Sequence, residues 1–314
     1  MKSEMKLTAL VVAVAMALAP AIVMAQDEKA ATQIDTTVRL DRGGSVDLSL
    51  ISGKIRVTGW DRSDVKISAS IDDGYLRFSA NSSRVTLSVD DEGRRNRHGH
   101  GNVGEARYDV SVPRGVRLIL EAVSGDVIAR GSQGEIEASS VSGDVDVSDG
   151  ARSVSVESVS GSAHAAQVNG NLRAETVSGD LRAENVTGNV EASSVSGEIT
   201  LVGIQSKDVR TETVSGDITY NGTIEPSGRY SFESHSGTLN LNIPRNAGAQ
   251  FSVETFSGGV SADFPITIPP SKRGRQGHME FTIGDGRARV TAQTFSGEIN
   301  INNGSGSSTR REDE

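Results

Sequence analysis

The sequence repeats itself at a fixed interval through its central third. The tripeptide Val-Ser-Gly recurs with its glycines eighteen residues apart, and further glycines fall half-way between several copies. The evenly spaced glycines are Gly125, Gly143, Gly161, Gly179 and Gly197, and the series continues less evenly through Gly216, Gly237 and Gly258, with Gly297 closing it. Self-similarity at a short, constant period is typical of solenoids, in which each repeat forms one winding stacked on the last.

Within each repeat, apolar and polar residues alternate over four or five positions. After Gly179, for example, Leu181 and Ala183 alternate with Arg182 and Glu184. A period of two is typical of a strand with one buried face. The repeats therefore predict an all-β fold, a β-solenoid of about 18-residue coils, each with two strands and two corners. Equivalent inward positions in other coils are Val127, Ala129, Val145, Val147, Ala163, Ala165, Val190, Ala192, Ile199 and Leu201.

The residues predicted to point inward are small wherever the repeat is regular. No Phe, Tyr or Trp lies between Tyr108 and Tyr220, whereas aromatic residues occur on both sides of that interval. Two sheets joined by tight corners enclose a thin interior, which a large ring would overpack. We therefore expect irregular, hairpin-like β caps at the two ends, where they would protect the terminal strand edges.

The sequence predicts a single domain over residues 26–303. We expect the N-terminal cap and first coils at 34–117, the regular coils at 118–222, the C-terminal coils and cap at 223–303, and a disordered tail at 304–314.

The Val-Ser-Gly-Asp motif is interpreted as a device that makes corners. In this interpretation the valine plugs the corner, and the glycine adopts a backbone conformation that is costly for other residues. Serine and aspartate would hydrogen-bond nearby backbone groups. The glycines given this structural role are Gly125, Gly143, Gly161, Gly179, Gly197 and Gly216.

The first 25 residues differ from the rest. Lys2 and Lys6 precede a long apolar run, and Val23 and Ala25 are placed for A-x-A-like cleavage before Gln26. This pattern predicts a signal peptide cleaved after Ala25, and hence a periplasmic or secreted protein. An uncleaved membrane anchor is the alternative, since the run approaches spanning length. No later segment is apolar enough to span a membrane.

The formal net charge of −9 and the absence of cysteine narrow the possible functions. An acidic exported chain is a poor candidate for binding nucleic acid or anionic membranes. Without cysteine it can form no disulfide, no cysteine metal site and no lipid anchor on an N-terminal cysteine. The sequence also contains no G-x-S-x-G, H-E-x-x-H or G-x-x-x-x-G-K-[ST] motif, and no cofactor is predicted.

A column of acidic residues following the corner glycines is the first candidate site. Its members are Asp126, Asp144, Asp180, Glu198 and Asp217, with Glu298 in a later copy and Ser162 interrupting the series. Stacked carboxylates could bind calcium, as in calcium-binding β-roll repeats. Those repeats use a denser G-G-x-G-x-D pattern that is absent here. The spacing therefore favours turn hydrogen bonding with the charges in solvent, and no metal is predicted.

Two basic segments and two further histidines are the remaining candidates. One segment holds Arg94, Arg95, Arg97, His98 and His100, and the other holds Lys272, Arg273, Arg275 and His278. His98 and His100 could meet a metal, but no third ligand is fixed nearby, and the composition favours solvated insertions between strands. The basic segments could instead contact an anionic glycan or lipopolysaccharide. His164 and His235 lie within strand or corner patterns.

An ordered set of segments resembles a known family. The set comprises ISGKIRVTGWDRSDVKI, YDVSVPRGVRLILEAVSGDV, the serial V-S-G-D copies, LNIPRNAGAQFSVETFSGGV and GDGRARVTAQTFSGEINI, from about residue 35 to 303. It is similar to the putative-adhesin family of bacterial β-strand-repeat proteins, classed as a domain of unknown function. The resemblance implies a β-solenoid envelope protein, for which "adhesin" is a label rather than an activity, and it supplies no catalytic residues.

These observations favour a non-enzymatic, adhesin-like binding or scaffolding protein with an unknown envelope partner, either a protein or a glycan. One alternative is a carbohydrate-active lyase or hydrolase on a β-helix, which would need clustered acids or bases beside an aromatic-lined groove. The regular coils lack such aromatics. A third possibility, suggested only by the kind of family, is an envelope-stress accessory protein. The sequence predicts neither the ligand nor the oligomeric state.

Overall fold

A computed structural model of the protein describes residues 29–90, 104–265 and 278–304. All helix-or-strand elements in these ranges are β-strands. The predicted signal peptide, the basic residues 94–100 and 272–275, and the tail beyond residue 304 lie outside the described residues. His278, the last residue of the second basic segment, begins a strand.

The regular coils consist of short strands that stack in parallel. They are β8 (Arg117–Arg130), β9 (Glu135–Ser140), β10 (Val145–Ser148), β11 (Ser153–Ser158), β12 (Ala163–Val168), β13 (Asn171–Thr176), β14 (Leu181–Val186), β15 (Val190–Ser196), β16 (Ile199–Ile204), β17 (Asp208–Ser215) and β18 (Ile218–Gly222), and seven described strands precede them in the chain. Leu181 pairs with Ala163 in the winding before and with Ile199 in the winding after. The parallel direction and the eighteen-residue register confirm the predicted β-solenoid.

Two sheets face each other across the interior. Sheet one contains β9, β11, β13, β15 and β17, and sheet two contains β10, β12, β14, β16 and β18. The longer β8 contributes its first half to sheet one and its second half to sheet two. The Val-Ser-Gly-Asp segments form the corner that leads from sheet one to sheet two in each winding.

The interior is the aliphatic slab that the alternation predicts. Every inward position named above is buried, with Ala183 and Val145 both at 0% exposure, whereas Arg182 faces solvent. Aromatic rings fill the interior only towards the ends, where Tyr108 is buried on one side and Tyr220 packs on Phe232 with ring centroids 5.1 Å apart on the other.

The N-terminal cap is built from β1 (Lys29–Ala31), β2 (Gln33–Arg39), β3 (Ser45–Trp60), β4 (Asp64–Ile71), β5 (Tyr75–Ala80), β6 (Arg84–Asp90) and β7 (Ala106–Pro113). The long β3 stacks directly on β8, although more than fifty residues separate them in the chain. On its other side β3 pairs in parallel with β6 and β7. Antiparallel strands then close the end, because β4 pairs with β7 and β2, and β5 pairs with β6 and β1.

The C-terminal end is also assembled out of chain order. Its strands are β19 (Arg229–Ser236), β20 (Leu239–Ile243), β21 (Ala249–Ser257), β22 (Val260–Ala262), β23 (His278–Ile283), β24 (Ala288–Ser296) and β25 (Ile299–Asn303). Strand β24 lies between β19 and β21, and β25 lies between β20 and β22. Gly297, the last glycine of the series in the sequence, therefore lies inside the stack, and Gly258 lies beyond it. Antiparallel β23 covers β21.

Candidate binding surface

The corner glycines stack into a column because no side chain fits between the windings. A Cβ built on each of them would lie 2.0 to 2.3 Å from the carbonyl oxygen of the glycine in the winding before. This holds for Gly125, Gly143, Gly161, Gly179, Gly197 and Gly216, and none of these six has a positive φ. The interpretation that a special backbone conformation selects glycine here is wrong. Close approach of two backbones selects it.

A buried hydroxyl column supports the glycine column from inside. The Oγ of Ser140 donates to the carbonyl oxygen of Gly125 at 2.8 Å, and the Oγ of Ser158 donates to that of Gly143 at 3.0 Å. The same bond recurs at Thr176, Ser234, Thr255 and Thr294. These bonds satisfy carbonyl groups that the corner would otherwise leave without a partner on the inside. Sequence reasoning missed these residues as a structural group.

The valine of the motif points into solvent, so the interpretation that it plugs the corner is wrong. The six motif valines from Val123 to Val214 are between 42% and 50% exposed. Their backbones stack in register, since the amide of Val159 donates to the carbonyl of Ser140 and that of Ser160 donates to Val141. Successive side chains of a strand point to opposite faces. Because the side chain of Ser140 points inward, that of Val141 points outward, and the same holds at the equivalent positions of the other windings.

The outward valines continue into three aromatic residues at the same motif position. His235, Phe295 and Phe256 occupy it in the last three windings, and their rings stack nearly parallel, with centroids 5.0 and 4.8 Å apart. Phe256 is 78% exposed. We call the whole row the apolar ridge, and its nine rungs in spatial order are Val123, Val141, Val159, Val177, Val195, Val214, His235, Phe295 and Phe256. At about 4.8 Å per winding, the ridge is about 38 Å long.

Acidic residues follow the apolar ridge along both of its sides. On the side of sheet one they stand two residues before the rung, and we call them the strand acids: Glu121, Glu157, Glu175, Glu212, Glu233 and Glu254. On the side of sheet two they stand three residues after the rung, and we call them the corner acids: Asp126, Asp144, Asp180, Glu198, Asp217 and Glu298. Only Glu175, Glu212 and Asp126 among these twelve form an ion pair with Lys or Arg within the described residues.

The corner acids include all of the predicted calcium candidates. The Oδ1 atoms of Asp144, Asp180 and Asp217 each accept a hydrogen bond from a backbone amide in the next winding, at 2.8, 3.1 and 2.7 Å. Asp126 accepts a longer one of 3.4 Å, and Glu198 accepts from the hydroxyl of Thr200. No group of three or more potential ligands comes together among the described residues. The four aspartates therefore tie adjacent windings together, whereas Glu198 bonds within its own winding, and the absence of a calcium site stays a prediction.

The three described histidines lie apart from one another. His164 contacts Asp146 on sheet two, with Nδ1 3.4 Å from the carboxylate. His278 lies 3.5 Å from Glu280 and 4.0 Å from Glu254 at the C-terminal cap. His235 is the only one of the three on the apolar ridge.

The sequence contained one indication of the ridge. Phe256 and Phe295 occupy the position of the motif valine, and the tight corner has no room for a ring on its inner side, so their side chains must point outward.

A comparison with protein-family models decides the family. The model described as Toastrack DUF4097 matches residues 47–302, which span most of the chain. The chain belongs to the Toastrack DUF4097 family. This confirms the resemblance stated from the sequence, and it brings no established activity, because Toastrack DUF4097 is a domain of unknown function.

Solved structures similar to this Toastrack chain are distant in sequence. They include a putative cell adhesion protein from Clostridium sporogenes (12% identity, 86% of this chain and 98% of that one, TM-score 0.26). A putative lipid binding protein from Parabacteroides distasonis matches at 11% identity over 86% and 97% with TM-score 0.48, and a putative adhesin from Bacteroides fragilis at 14% over 86% and 97% with TM-score 0.37. Because all three TM-scores are below 0.5, these similarities assign no function to the Toastrack chain. No curated protein matches the sequence.

None of the described residues belongs to a helix long and apolar enough to cross a membrane.

Proposed function

We propose that this Toastrack chain is an exported, non-enzymatic binding or scaffolding protein of the bacterial envelope, and that its apolar ridge is the surface that binds. The predicted signal peptide supports export to the periplasm or beyond. The partner is an envelope component, a protein or a glycan. The observation that carries the proposal is the exposure of nine stacked rungs, eight apolar side chains and His235, along one edge of the solenoid.

Single exposed valines are ordinary, but a continuous row is not. Contiguous apolar surface on a soluble protein marks an interaction site, because leaving it in water costs free energy that binding recovers. The rungs are also held by in-register stacking of the backbone, as at Val159 and Ser160. A surface that is already ordered loses little conformational entropy when a partner binds.

The chemistry of the ridge suits binding better than catalysis. Eight of the nine rungs are valine or phenylalanine, which offer no proton-transfer or nucleophilic group, and the ring of the ninth, His235, stacks on Phe295. Of the acids beside them, Asp144, Asp180 and Asp217 use one carboxylate oxygen to hold the next winding. A shallow depression of ≈ 490 Å³ lies beside the aromatic end and is lined by Glu233, Phe256 and Phe295 among others. The depression is open to solvent, as expected for a surface that contacts a partner.

Site-specific photo-crosslinking in cells tests this proposal. A photoreactive amino acid would be placed at Ser142 or Ser178, which are exposed beside the ridge, and at Thr187, which is exposed at the opposite corner, as the control. We expect the exported chain to begin at Gln26 and to form a discrete crosslinked product from the ridge positions only. Crosslinking that is equal from the ridge and from Thr187, or a chain that stays in the cytoplasm, would overturn the proposal.

A further inference from the structure

We infer that the apolar ridge binds a cationic amphipathic α-helix of another polypeptide. This inference rests on the function proposed above and names the partner class of the same surface. It is carried by the arrangement of charge, because an apolar row lies between two rows of carboxylates. A matching partner must therefore present an apolar stripe with Lys or Arg on both of its borders.

The carboxylates beside the ridge have few internal cations to neutralise them, although several accept hydrogen bonds, as Glu157 does from Ser155 and Glu233 from Ser231. Nine of the twelve form no ion pair with Lys or Arg within the described residues, among them Glu121, Glu157 and Glu233 of the strand acids. Neighbouring windings also bring like charges together, as at Glu212 and Glu233, which are register partners. Like charges in adjacent strands repel, so the approach of cations relieves an unfavourable interaction in the free protein.

The same charges argue against two other occupants of the ridge. A second copy of this chain would bring its own acidic rows against these ones, at a cost from like-charge repulsion. The surface of a membrane rich in anionic lipid would repel them for the same reason. Neither occupant supplies the positive charge that the two rows require.

A helix fits this geometry better than an extended strand. An amphipathic helix carries an apolar stripe bordered by polar residues on both sides, and it returns to the same face about every 5.4 Å. That step is close to the rung spacing of about 4.8 Å, whereas side chains on one face of a strand recur at about 6.7 Å. A helix covering the whole ridge of about 38 Å would contain about 25 residues.

The inference can be tested with synthetic peptides and the purified chain of residues 26–314. The probe is a fluorescent helix of about 25 residues with a leucine stripe bordered by lysine, and its binding is measured by fluorescence anisotropy. Two control peptides separate the contributions: a scrambled peptide of the same composition without a stripe, and a helix in which glutamate replaces lysine. We expect the leucine–lysine helix to bind at least about tenfold more tightly than either control.

Variants of the protein locate the binding. Replacing Val141, Val159 and Val177 together by threonine keeps the β-branched shape and removes exposed methyl groups, and should weaken binding by about tenfold or more. Glu157→Gln with Glu233→Gln should weaken it several-fold at low salt and little at about 1 M salt. The matched neutralisation, Asp35→Asn with Asp41→Asn at exposed positions of the N-terminal cap, should change nothing. Circular dichroism would verify that each variant is folded.

Several outcomes would overturn the inference. They are equal binding of the scrambled peptide, equal binding of the glutamate helix, no effect of the threonine variant, or ridge-dependent binding to anionic vesicles or self-association in place of peptide binding. If the peptides fail while crosslinking from Ser142 and Ser178 persists in cells, the partner class is wrong and the proposed function stands. If both fail, both are wrong.

Discussion

The carbonyl oxygen of Gly125 lies 2.3 Å from the place where a Cβ on Gly143 would stand. Two non-bonded heavy atoms cannot approach this closely, so Gly143→Ala must push adjacent windings apart or bend the corner. We expect it to lower the free energy of unfolding by about 2–3 kcal/mol. Gly115→Ala is the matched control, because nothing lies within 4 Å of its Cβ and its φ is not positive. Equal shifts of the two variants in chemical denaturation would reject close approach as the cause.

The buried hydroxyl column offers a second matched pair. Ser158→Ala removes the hydrogen bond to Gly143 and leaves a carbonyl without it, which should cost about 1 kcal/mol. The equivalent Ser194 is buried as well, but its Oγ has no hydrogen-bond partner among the described residues. We therefore expect Ser194→Ala to be neutral or slightly stabilising when the two variants are compared by urea denaturation. A larger loss at Ser194 than at Ser158 would contradict this.

Much of the coil was predictable because parallel stacking returns the chain to the same environment every eighteen residues. Leu181, Ala183 and Val190 are buried as the alternation predicts. The orientation of the motif valine was not predictable in this way. Ser140 and Val141 are neighbours, so only one of their side chains can point inward, and hydropathy alone assigns the inward place to the valine. The hydrogen bond from Ser140 to the carbonyl of Gly125, fifteen residues earlier, decides the orientation.

The position of the last coil was not predictable for a different reason. The segment around Gly297 carries the same pattern as the other corners, so it fits any free place in the stack. The pairing partners alone decide the place: Val290 pairs with Tyr230 on one side and with Phe251 on the other. No local feature of the sequence identifies these pairing partners. Because the motif valines were expected to point inward, the apolar ridge that they form was not predicted. Phe256 and Phe295 at the same motif position nevertheless indicated an outward side chain.

The inward and outward faces of one strand can be compared directly. Ala183 is fully buried between the two sheets, whereas Arg182 beside it is exposed. Ala183→Phe should destabilise the protein by about 3 kcal/mol, since a ring does not fit the aliphatic slab. Arg182→Phe should cost less than about 1 kcal/mol, part of it from losing the contact with Glu184. Equal losses in chemical denaturation would reject the inward assignment of Ala183.

Alkaline pH should destabilise the protein through its buried tyrosines. Burial raises the pKa of Tyr108 above its usual value of about 10, and it is also the main reason for the raised pKa of Tyr220 and Tyr230. The folded protein therefore holds these protons more tightly than the unfolded chain. The resulting stability is fully present below about pH 10 and is lost as the pH rises further.

Denaturation at a series of alkaline pH values, with tyrosinate absorbance recorded alongside, measures this effect. Tyr108→Phe removes one of the three groups and the hydrogen bond to the carbonyl of Ser49. It should lower stability at neutral pH and make the decline above pH 10 shallower. Full ionisation of all four tyrosines with the fold intact would contradict the assignment.

The out-of-order C-terminal coil predicts a specific pattern of amide hydrogen exchange. Strands β24 and β25 are the last described strands in chain order, and a stack built in that order would place them at its exposed edge, where amides exchange fast. Both strands, however, have parallel partners on either side, so their amides should exchange as slowly as those of β13 and β15. Strand β22 has three residues and one partner among the described strands, and it should exchange much faster. Exchange measured by mass spectrometry on peptides from these strands distinguishes the cases: fast exchange in β24 would show that the last coil lies at the edge of the stack.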